Sequence, residues 1–260
     1  MQIKHPDFQI LKENFEATSD YCLVIPVINE GYKLTSLLEK IKNLSFNNFD
    51  ILVVDGGSND GSIERTVELD FVDYVLLRKE EGKLGTQLRC AYWFLMFEKN
   101  YKGIITIDGN NKDNPNAIEI FLKKLDEGYD FVQGSRFIDG GVSVNLPIMR
   151  YLGIKLIHKP ILNLFSKYKW TDTTQGFRGY SKRFITSDKV SIFRKIFTGY
   201  ELLFYLSYIG PKLDFKCTEI PTERIYPKGE VPTKISGLKS YFNIIFTLIQ
   251  VKIGKFNVPE

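Results

Sequence analysis

Short apolar segments alternate with amphipathic helical segments along the first half of the chain. The apolar segments are typical of buried strands, and they are Tyr21–Ile28, Asp50–Asp55, Val72–Arg78, Gly103–Asp108 and Tyr129–Ser135. The helical segments between them are Gly31–Leu44, Leu84–Asn100 and Asn114–Gly128. In the first helical segment one face carries Leu34, Leu37, Leu38, Ile41 and Leu44. This alternation predicts an α/β fold whose mostly parallel sheet has helices on both faces.

The length of 260 residues suits a single domain of this class. We expect an N-terminal extension at residues 1–20, the α/β domain at residues 21–236, and a C-terminal amphipathic helix and tail at residues 237–260. The N-terminus has no apolar run of the signal-peptide type. No stretch reaches the roughly 18 apolar residues of a membrane span. The sequence therefore predicts a cytoplasmic location, with peripheral attachment to the inner face of the membrane as the alternative.

The charge and the reactive side chains exclude several classes of site. A net charge of +4 is too small to indicate nucleic-acid binding, although it permits anionic substrates or an anionic membrane surface. The cysteines are odd in number, far apart and in apolar surroundings, as expected of reduced core thiols: Cys22, Cys90 and Cys217. With His5 and His158 as the only histidines, we expect neither a histidine-based metal site nor a catalytic triad.

Polar residues follow three of the predicted strands at the point where each strand ends. They are Asp55, Asp108 and the Ser135–Arg136 pair. Ligands of parallel α/β sheets bind at the carboxyl ends of the strands. The three clusters therefore predict one site at this edge of the sheet.

The segment Ile104–Asp113, IITIDGNNKD, has two interpretations. In one, Asp108 and Asn110 give oxygen ligands to a hard divalent cation, Asp113 adds a second carboxylate, and Lys112 contacts a phosphate as a point charge. In the other, the segment is a polar turn.

Two earlier segments also allow either a site or a plain local structure. In VVDGGSNDGS, Asp55 followed by Gly57 and Ser58 is able to accept a hydrogen bond from a ribose or a base, but the segment also fits a turn. In VIPVINEG the strand is predicted to end at Pro26. Asn29 and Glu30 then start a helix, where a simple cap explains them.

Five segments in this order resemble the family 2 glycosyltransferases with the Rossmann-like GT-A fold. They are IPVINE, VVDGGSNDGS, TIDGNNKDNP, DFVQGSRF and TDTTQGFRGYS. Each is weak alone, but all five occur with the expected spacing. The resemblance extends from Tyr21 to Gly254 and is greatest for the dolichol- or polyprenyl-phosphate sugar synthases, such as dolichol-phosphate mannose synthase.

The resemblance implies a role for each matching residue. Donor-binding residues would be Pro26, Asn29, Glu30, Asp55, Gly57, Ser58, Lys83, Asp108 and Lys112. Asp108 and Asn110 would hold Mg²⁺ or Mn²⁺ against the diphosphate of a UDP- or GDP-sugar. Arg136 and Arg150 resemble the arginines that meet an acceptor phosphate, whereas Arg178 would brace the site. A basic mobile loop over the phosphates would contain Arg224, Lys228 and Lys234.

The chain departs from the family pattern at three positions. Gly56 stands where the family usually has a second acid, Asn110 replaces the second Asp of an Asp-X-Asp motif, and Lys112 stands where a Gln often follows. The fold expectation is unaffected, but we expect any metal ion to be weakly bound.

The resemblance implies an inverting glycosyltransferase, with a polyprenyl phosphate as the preferred acceptor. A phosphate monoester needs no catalytic base because its second pKa is about 6. The alternative acceptor is a hydroxyl of a polysaccharide or other glycan, which requires a carboxylate base. Asp172 and Glu201 are the candidates, although they also fit a turn acid and an acid in the first turn of a helix. A non-catalytic nucleotide-sugar-binding protein is the alternative from another class.

Two long segments bear on the acceptor. Tyr151–Lys169 places apolar residues on one face, and Gly237–Phe256 has a narrow polar stripe flanked by lysines. Both are able to lie in a membrane interface, to serve as core helices, or to form the face of an oligomer.

Overall fold

The structure, a computed structural model, describes residues 5–16, 19–228 and 238–258. Its strands are β1 (Phe8–Glu13), β2 (Tyr21–Val27), β3 (Asp50–Asp55), β4 (Tyr74–Arg78), β5 (Gly103–Thr106), β6 (Phe131–Ser135), β7 (Val142–Val144), β8 (Arg178–Ser181), β9 (Cys217–Pro221) and β10 (Glu223–Ile225). Eight of them form one sheet in the order β1-β4-β3-β2-β5-β8-β6-β9, and β7 pairs with β10 in a small second sheet.

The centre of the large sheet is parallel, as the sequence predicts. Strands β4, β3, β2 and β5 run parallel to one another, and β6 runs parallel to β9. Strand β8 lies antiparallel between β5 and β6. Strand β1 pairs antiparallel with β4 at the edge, so part of the segment 1–20 that the sequence set apart belongs to the sheet.

The helices cover both faces of the sheet. They are α1 (Tyr32–Lys42), α2 (Ser62–Val67), α3 (Leu84–Trp93), α4 (Ile118–Asp126), α5 (Ile148–Leu152), α6 (Lys159–Phe165), α7 (Lys182–Ile185), α8 (Glu201–Lys212) and α9 (Leu238–Lys252). A π-helical turn, Gly153–His158, joins α5 to α6, and another, Phe94–Glu98, extends α3.

Alternate residues of each central strand feed two separate apolar cores. In β2, Val24 packs into the core beneath α3 and α8, while Leu23 packs into the core beneath α1 and α4. The predicted apolar face of α1 is buried in the second core through Leu34, Leu37, Leu38 and Ile41. Burial on both faces explains why the central strands are continuous apolar runs.

The first strand and helix differ from expectation at their junction. Strand β2 continues through Pro26, which pairs with Val54, to Val27. The pairing of β2 with β5 ends at Val24, so the missing N–H of Pro26 falls where β5 has no partner for it. Helix α1 begins only at Tyr32, so Asn29 and Glu30 lie in the preceding turn rather than in the helix.

Candidate active site

Asp108 lies just past β5, at the carboxyl edge of the sheet, with a side chain 25% exposed. It sits against the turn that precedes β8. A Cβ atom placed on Gly176 would overlap Oδ1 of Asp108. The antiparallel pairing of β5 with β8 thus brings the TDTTQGFRGYS segment beside the DGNNKD segment.

Arg224 bridges the two carboxylates of the DGNNKD segment. Its Nη2 donates to Oδ2 of Asp108 at 3.0 Å, and its Nη1 donates to Oδ2 of Asp113 at 2.5 Å. The other oxygen of Asp113 accepts from Nε2 of Gln175 at 2.5 Å. Burial raises the pKa of Asp113, and the charge of Arg224 offsets part of that rise.

This arrangement corrects two expectations. Asp113 is buried and already bound by Arg224 and Gln175, so it is not an open metal ligand. Arg224 lies on β10 with a side chain only 6% exposed, not in a mobile loop. Of the other two residues assigned to that loop, Lys228 is exposed after β10 and Lys234 lies outside the described residues.

Lys112 is buried rather than part of a solvated turn. Its backbone N–H donates to Oδ1 of Asn110 at 3.3 Å, and its carbonyl accepts from the N–H of Ile225 at 2.8 Å. Its Nζ lies 5.9 Å from the centre of the Tyr226 ring. The segment from Asp108 to Asp113 is therefore held against β10.

Four cations surround the buried side chain of Tyr226. The guanidinium carbons of Arg150 and Arg224 lie 5.6 and 5.8 Å from the ring centre, beside Lys112. Arg136 donates to the Tyr226 hydroxyl at 2.5 Å. Such a cluster attracts a phosphate or diphosphate.

Arg150 differs from its neighbours because, in the described part of the chain, no hydrogen bond or ion pair holds its guanidinium. Its side chain is half-buried. Burial lowers the pKa of Arg150, and the nearby Arg136 and Arg224 add to that effect. An anion bound here would offset the free-energy cost of burying the Arg150 charge and the repulsion from the neighbouring arginines.

Arg136 and Asp172 form an ion pair in which both side chains are fully buried. Nε donates to Oδ2 at 2.6 Å and Nη2 donates to Oδ1 at 3.0 Å. Burial opposes ionisation of Asp172, yet the Arg136 guanidinium holds the pKa of that carboxyl below its usual range. This geometry argues against Arg136 as a direct phosphate contact and against Asp172 as a catalytic base.

Glu201 is committed to the start of α8. Its Oε1 accepts from the N–H groups of Thr198 and Gly199, both at 2.5 Å. The carbonyl of Thr198 in turn accepts from the N–H of Lys83 at 2.7 Å, and the Lys83 side chain is exposed. These contacts therefore favour the interpretation of Glu201 as an acid in the first turn of a helix over its interpretation as a catalytic base.

The side chain of Asp55 forms hydrogen bonds within the loop that follows β3. Its carboxylate accepts from the N–H groups of Gly57 and Ser58 at 3.0 Å and from the Ser58 hydroxyl at 2.6 Å. The same hydroxyl accepts from the N–H of Asn29 at 2.9 Å, which links the loops after β2 and β3. Asp55 is almost fully buried, which argues for a loop-shaping role rather than direct contact with a nucleoside.

The missing acid at Gly56 has a structural explanation. A Cβ atom there would lie 3.0 Å from Nε2 of Gln87 and 3.3 Å from the carbonyl of Val27. Gln87 is buried and donates to the carbonyls of Val27 and Val54 at 2.8 and 3.1 Å. The Gln87 amide therefore fills the space that a side chain at position 56 would take.

Sequence reasoning missed several residues of this region. Gln175, Gly176, Tyr200 and Tyr226 all lie within or next to segments that were singled out for other residues. Tyr200 is 43% exposed. Burial raises its pKa, and Asp108 contributes to that rise, so its ring lies within electrostatic reach of the site. Arg178 is fully buried and donates to the carbonyls of Thr173 and Leu203, as a bracing residue would.

The described residues do not form a ready-made metal site. They contain no group of three His, Cys, Asp or Glu side chains arranged to hold an ion. Asp108 already accepts from Arg224, and Oδ1 of Asn110 already accepts from Lys112. With two cationic side chains beside one partly exposed carboxylate, this donor set does not fit the expected Mg²⁺ or Mn²⁺.

A band of exposed apolar residues runs along α5 and the turn that follows it. Ile148 is 73% exposed, Met149 65% and Leu156 68%. Arg150 belongs to the same short helix. Nowhere in the described ranges is a helix both long and apolar enough to cross a membrane.

Comparison with known proteins shows the family to which the chain belongs. The profile of glycosyl transferase family 2 matches residues 22–187, more than half of the chain. The polyprenol monophosphomannose synthase of Mycolicibacterium smegmatis is 26% identical over 214 residues, which are 78% of this chain and 77% of that protein. A UDP-N-acetylglucosamine–dolichyl-phosphate N-acetylglucosaminyltransferase of Methanococcus voltae is 24% identical over 255 residues, covering 90% of this chain and 96% of the relative.

Solved structures show the fold. Glucosyl-3-phosphoglycerate synthase from Mycobacterium tuberculosis, in complex with Mn²⁺, uridine diphosphate and phosphoglyceric acid, matches with a TM-score of 0.62 at 15% identity. The match covers 94% of this chain and 80% of that one. The chain therefore belongs to glycosyl transferase family 2, is an enzyme with the GT-A fold, and is similar to the dolichol- and polyprenyl-phosphate sugar synthases of that family.

Proposed function

We propose that the protein transfers a sugar from a nucleoside-diphosphate sugar to a polyprenyl phosphate, with inversion at the anomeric carbon. The observation that carries this proposal is Arg150. Its guanidinium is half-buried within a cationic cluster, and no described residue forms a hydrogen bond or ion pair with it. A phosphate is the ligand that such a group binds best.

The acceptor phosphate suits the chemistry of the site. One of its oxygens attacks the anomeric carbon, the bond from that carbon to the diphosphate breaks, and the diphosphate leaves with the electron pair. A single displacement of this kind inverts the configuration. Because the phosphate is already ionised near neutral pH, no base has to take a proton.

The alternative acceptor, a hydroxyl of a glycan, is less well supported. A hydroxyl requires a carboxylate that is free to accept its proton. Asp172 is tied to Arg136 with a lowered pKa, and Glu201 is tied to the start of α8. Neither geometry favours proton transfer from a substrate.

The apolar band on α5 supports a lipid acceptor at the inner face of the membrane. Ile148, Met149 and Leu156 expose apolar surface on the element that carries Arg150. A lipid whose phosphate binds Arg150 needs such a surface for the first part of its chain. Lys155 and Lys159 lie on the same segment and suit anionic headgroups.

The test is a transfer assay with radiolabelled UDP- and GDP-sugars. Acceptors would be a polyprenyl phosphate, the matching polyprenol and a soluble oligosaccharide. We expect product only with the phosphate, and we expect Arg150→Ala to raise the KM for the acceptor by about tenfold or more. Arg150→Lys should recover part of this loss. Transfer to the polyprenol or the oligosaccharide with equal efficiency would contradict the proposal.

A further inference from the structure

We propose that Arg224 takes the place of a divalent cation at this site, so that the donor diphosphate binds without a metal ion. The inference rests on the proposed use of a nucleoside-diphosphate sugar. It concerns how the chain neutralises its own carboxylates, which is a separate question from the acceptor.

The position of the guanidinium carries the inference. Arg224 lies between Asp108 and Asp113 and donates to one oxygen of each, at 3.0 and 2.5 Å. These are the two carboxylates that the DGNNKD segment contributes. A planar guanidinium with two arms satisfies both at once, which a point charge such as lysine does not.

The strand that carries Arg224 is fixed against the same segment. Asp113 and Arg224 form an isolated antiparallel bridge, and the N–H of Asn114 donates to the carbonyl of Glu223 at 3.0 Å. The Asn114 side chain also donates to the Glu223 carboxylate at 2.7 Å. On the other side of Arg224, the N–H of Ile225 donates to the carbonyl of Lys112 at 2.8 Å, so its backbone is held in the bridging position from both neighbours.

The local charge already favours a diphosphate. The Arg136–Asp172 pair is neutral as a unit. Around it, among the described residues, the guanidinium of Arg224 binds both Asp108 and Asp113, and the guanidinium of Arg150 adds a further positive charge. A bound dication would add repulsion from Arg224 and Lys112, whereas a diphosphate is attracted with no ion present.

Two measurements test the inference, one of them without any nucleotide. In the first, free Mn²⁺ is followed by its electron paramagnetic resonance signal in solutions of the protein. We expect Arg224→Gln, which removes the guanidinium from both carboxylates, to bind Mn²⁺ at least about tenfold more tightly than the wild type.

In the second, titration calorimetry measures UDP and GDP binding in EDTA and in Mn²⁺. We expect wild-type affinity to differ by less than about threefold between the two conditions. Arg224→Gln should bind at least about tenfold more weakly in EDTA and recover in part with Mn²⁺. Arg224→Lys, which keeps the charge but not the two arms, should lie between them.

The matched control is Arg183→Gln. Arg183 pairs with Asp130 at the opposite edge of the sheet, so its loss also removes an arginine–carboxylate pair but far from the site. It should leave Mn²⁺ binding and nucleotide binding unchanged. Melting curves establish that each variant is folded.

The outcomes separate the two proposals. If the wild type binds nucleotide only with Mn²⁺, or if Arg224→Gln matches the wild type in EDTA and gains no Mn²⁺ affinity, the metal-replacing role of Arg224 is overturned while the proposed transferase function stands. If neither nucleotide binds under any condition, the donor class itself is wrong and both proposals fall.

Discussion

A Cβ atom added to Gly176 would overlap Oδ1 of Asp108 and lie 3.1 Å from its Cγ. The glycine is buried in the turn that precedes β8, and the Asp108 carboxylate uses the space that a side chain there would fill. The orientation of Asp108 toward Arg224 therefore depends on a residue 68 positions later in the chain, counting from 108 to 176.

We predict that Gly176→Ala weakens donor binding with little effect on folding. The added methyl group meets the free end of a side chain, which is able to rotate away, and not the backbone. Rotation of Asp108 breaks its hydrogen bond with Arg224, the residue that we propose takes the place of the metal ion at the donor site. Loss of this charge-assisted contact predicts about tenfold weaker nucleotide binding. Calorimetric titration and thermal unfolding measure the two effects.

Gly210→Ala is the matched control for this prediction. Gly210 lies in α8, where the nearest atom to an added Cβ is at an ordinary contact distance of 3.4 Å. It should leave nucleotide affinity unchanged. If Gly176→Ala also leaves affinity unchanged, the position of Asp108 does not matter for the donor.

The Arg136–Asp172 pair should matter for stability more than for acceptor binding. Removing one partner of a fully buried pair leaves an uncompensated charge, which typically costs about 3–5 kcal/mol. Asp172→Asn and Arg136→Gln should each lower the free energy of unfolding in urea by about that amount. The double variant should cost less than the sum of the two.

A different result would support the prediction from the sequence that Arg136 contacts the acceptor phosphate. If Arg136→Gln keeps its stability but raises the KM for a polyprenyl phosphate, the guanidinium contacts the acceptor directly. The buried geometry would then describe a state that opens on binding.

The sequence predicted the central strands and the gathering of polar residues at the edge of the candidate site, because both depend on local patterns. Apolar runs marked β2, β3 and β5, and Asp55 and Asp108 fell at the ends of theirs. For Asp55 the prediction did not extend to the role of the side chain. Asp55 turned out to hold its own loop, a bonding pattern that an acid followed by two glycines and a serine also fits.

The partners of Asp108 were beyond the reach of a local reading. Arg224 joins it across 116 positions, through the pairing of β10 with the segment around Asp113. The insertion of β8 between β5 and β6 brings Gly176 to it from the other side. Strand order of this kind is set by long-range packing, and local patterns in one sequence read by itself carry no signal for it.

His158 should make the protein less stable in mild acid. It is fully buried, packs 5.1 Å from the ring of Phe204, and its Nε2 has no hydrogen-bond partner in the described structure. Burial lowers its pKa from 6.5 to about 4. Between those values the unfolded chain binds a proton that the native state does not, so the free energy of unfolding rises with pH across this window.

The lowering of the His158 pKa sets the size of the expected change in stability. A lowering of this extent corresponds to about 3 kcal/mol of stability at neutral pH, lost as the pH falls from 6.5 toward 4. Urea unfolding at pH 7 and pH 4.5 should show a smaller change for His158→Gln than for the wild type. Equal changes in both proteins would mean that His158 is protonated in the native state as easily as in the unfolded chain.

Lys112 is expected to act on the diphosphate, which separates the two interpretations of the DGNNKD segment. It is buried beside Tyr226 and held by the Asn110 side chain and by β10. Removal of a charge-assisted phosphate contact costs on the order of 1.5–3 kcal/mol, so Lys112→Ala should lower transfer by about tenfold or more. Lys40→Ala is the control, because Lys40 is an exposed lysine that donates to Asn111 of the same turn.

Asn110→Asp should make activity depend more strongly on Mg²⁺ or Mn²⁺, since it adds a carboxylate beside Asp108. Activity measured against metal concentration for these variants and the wild type decides the matter. If Lys112→Ala behaves like Lys40→Ala at every concentration, the segment is a structural turn and the phosphate is bound elsewhere.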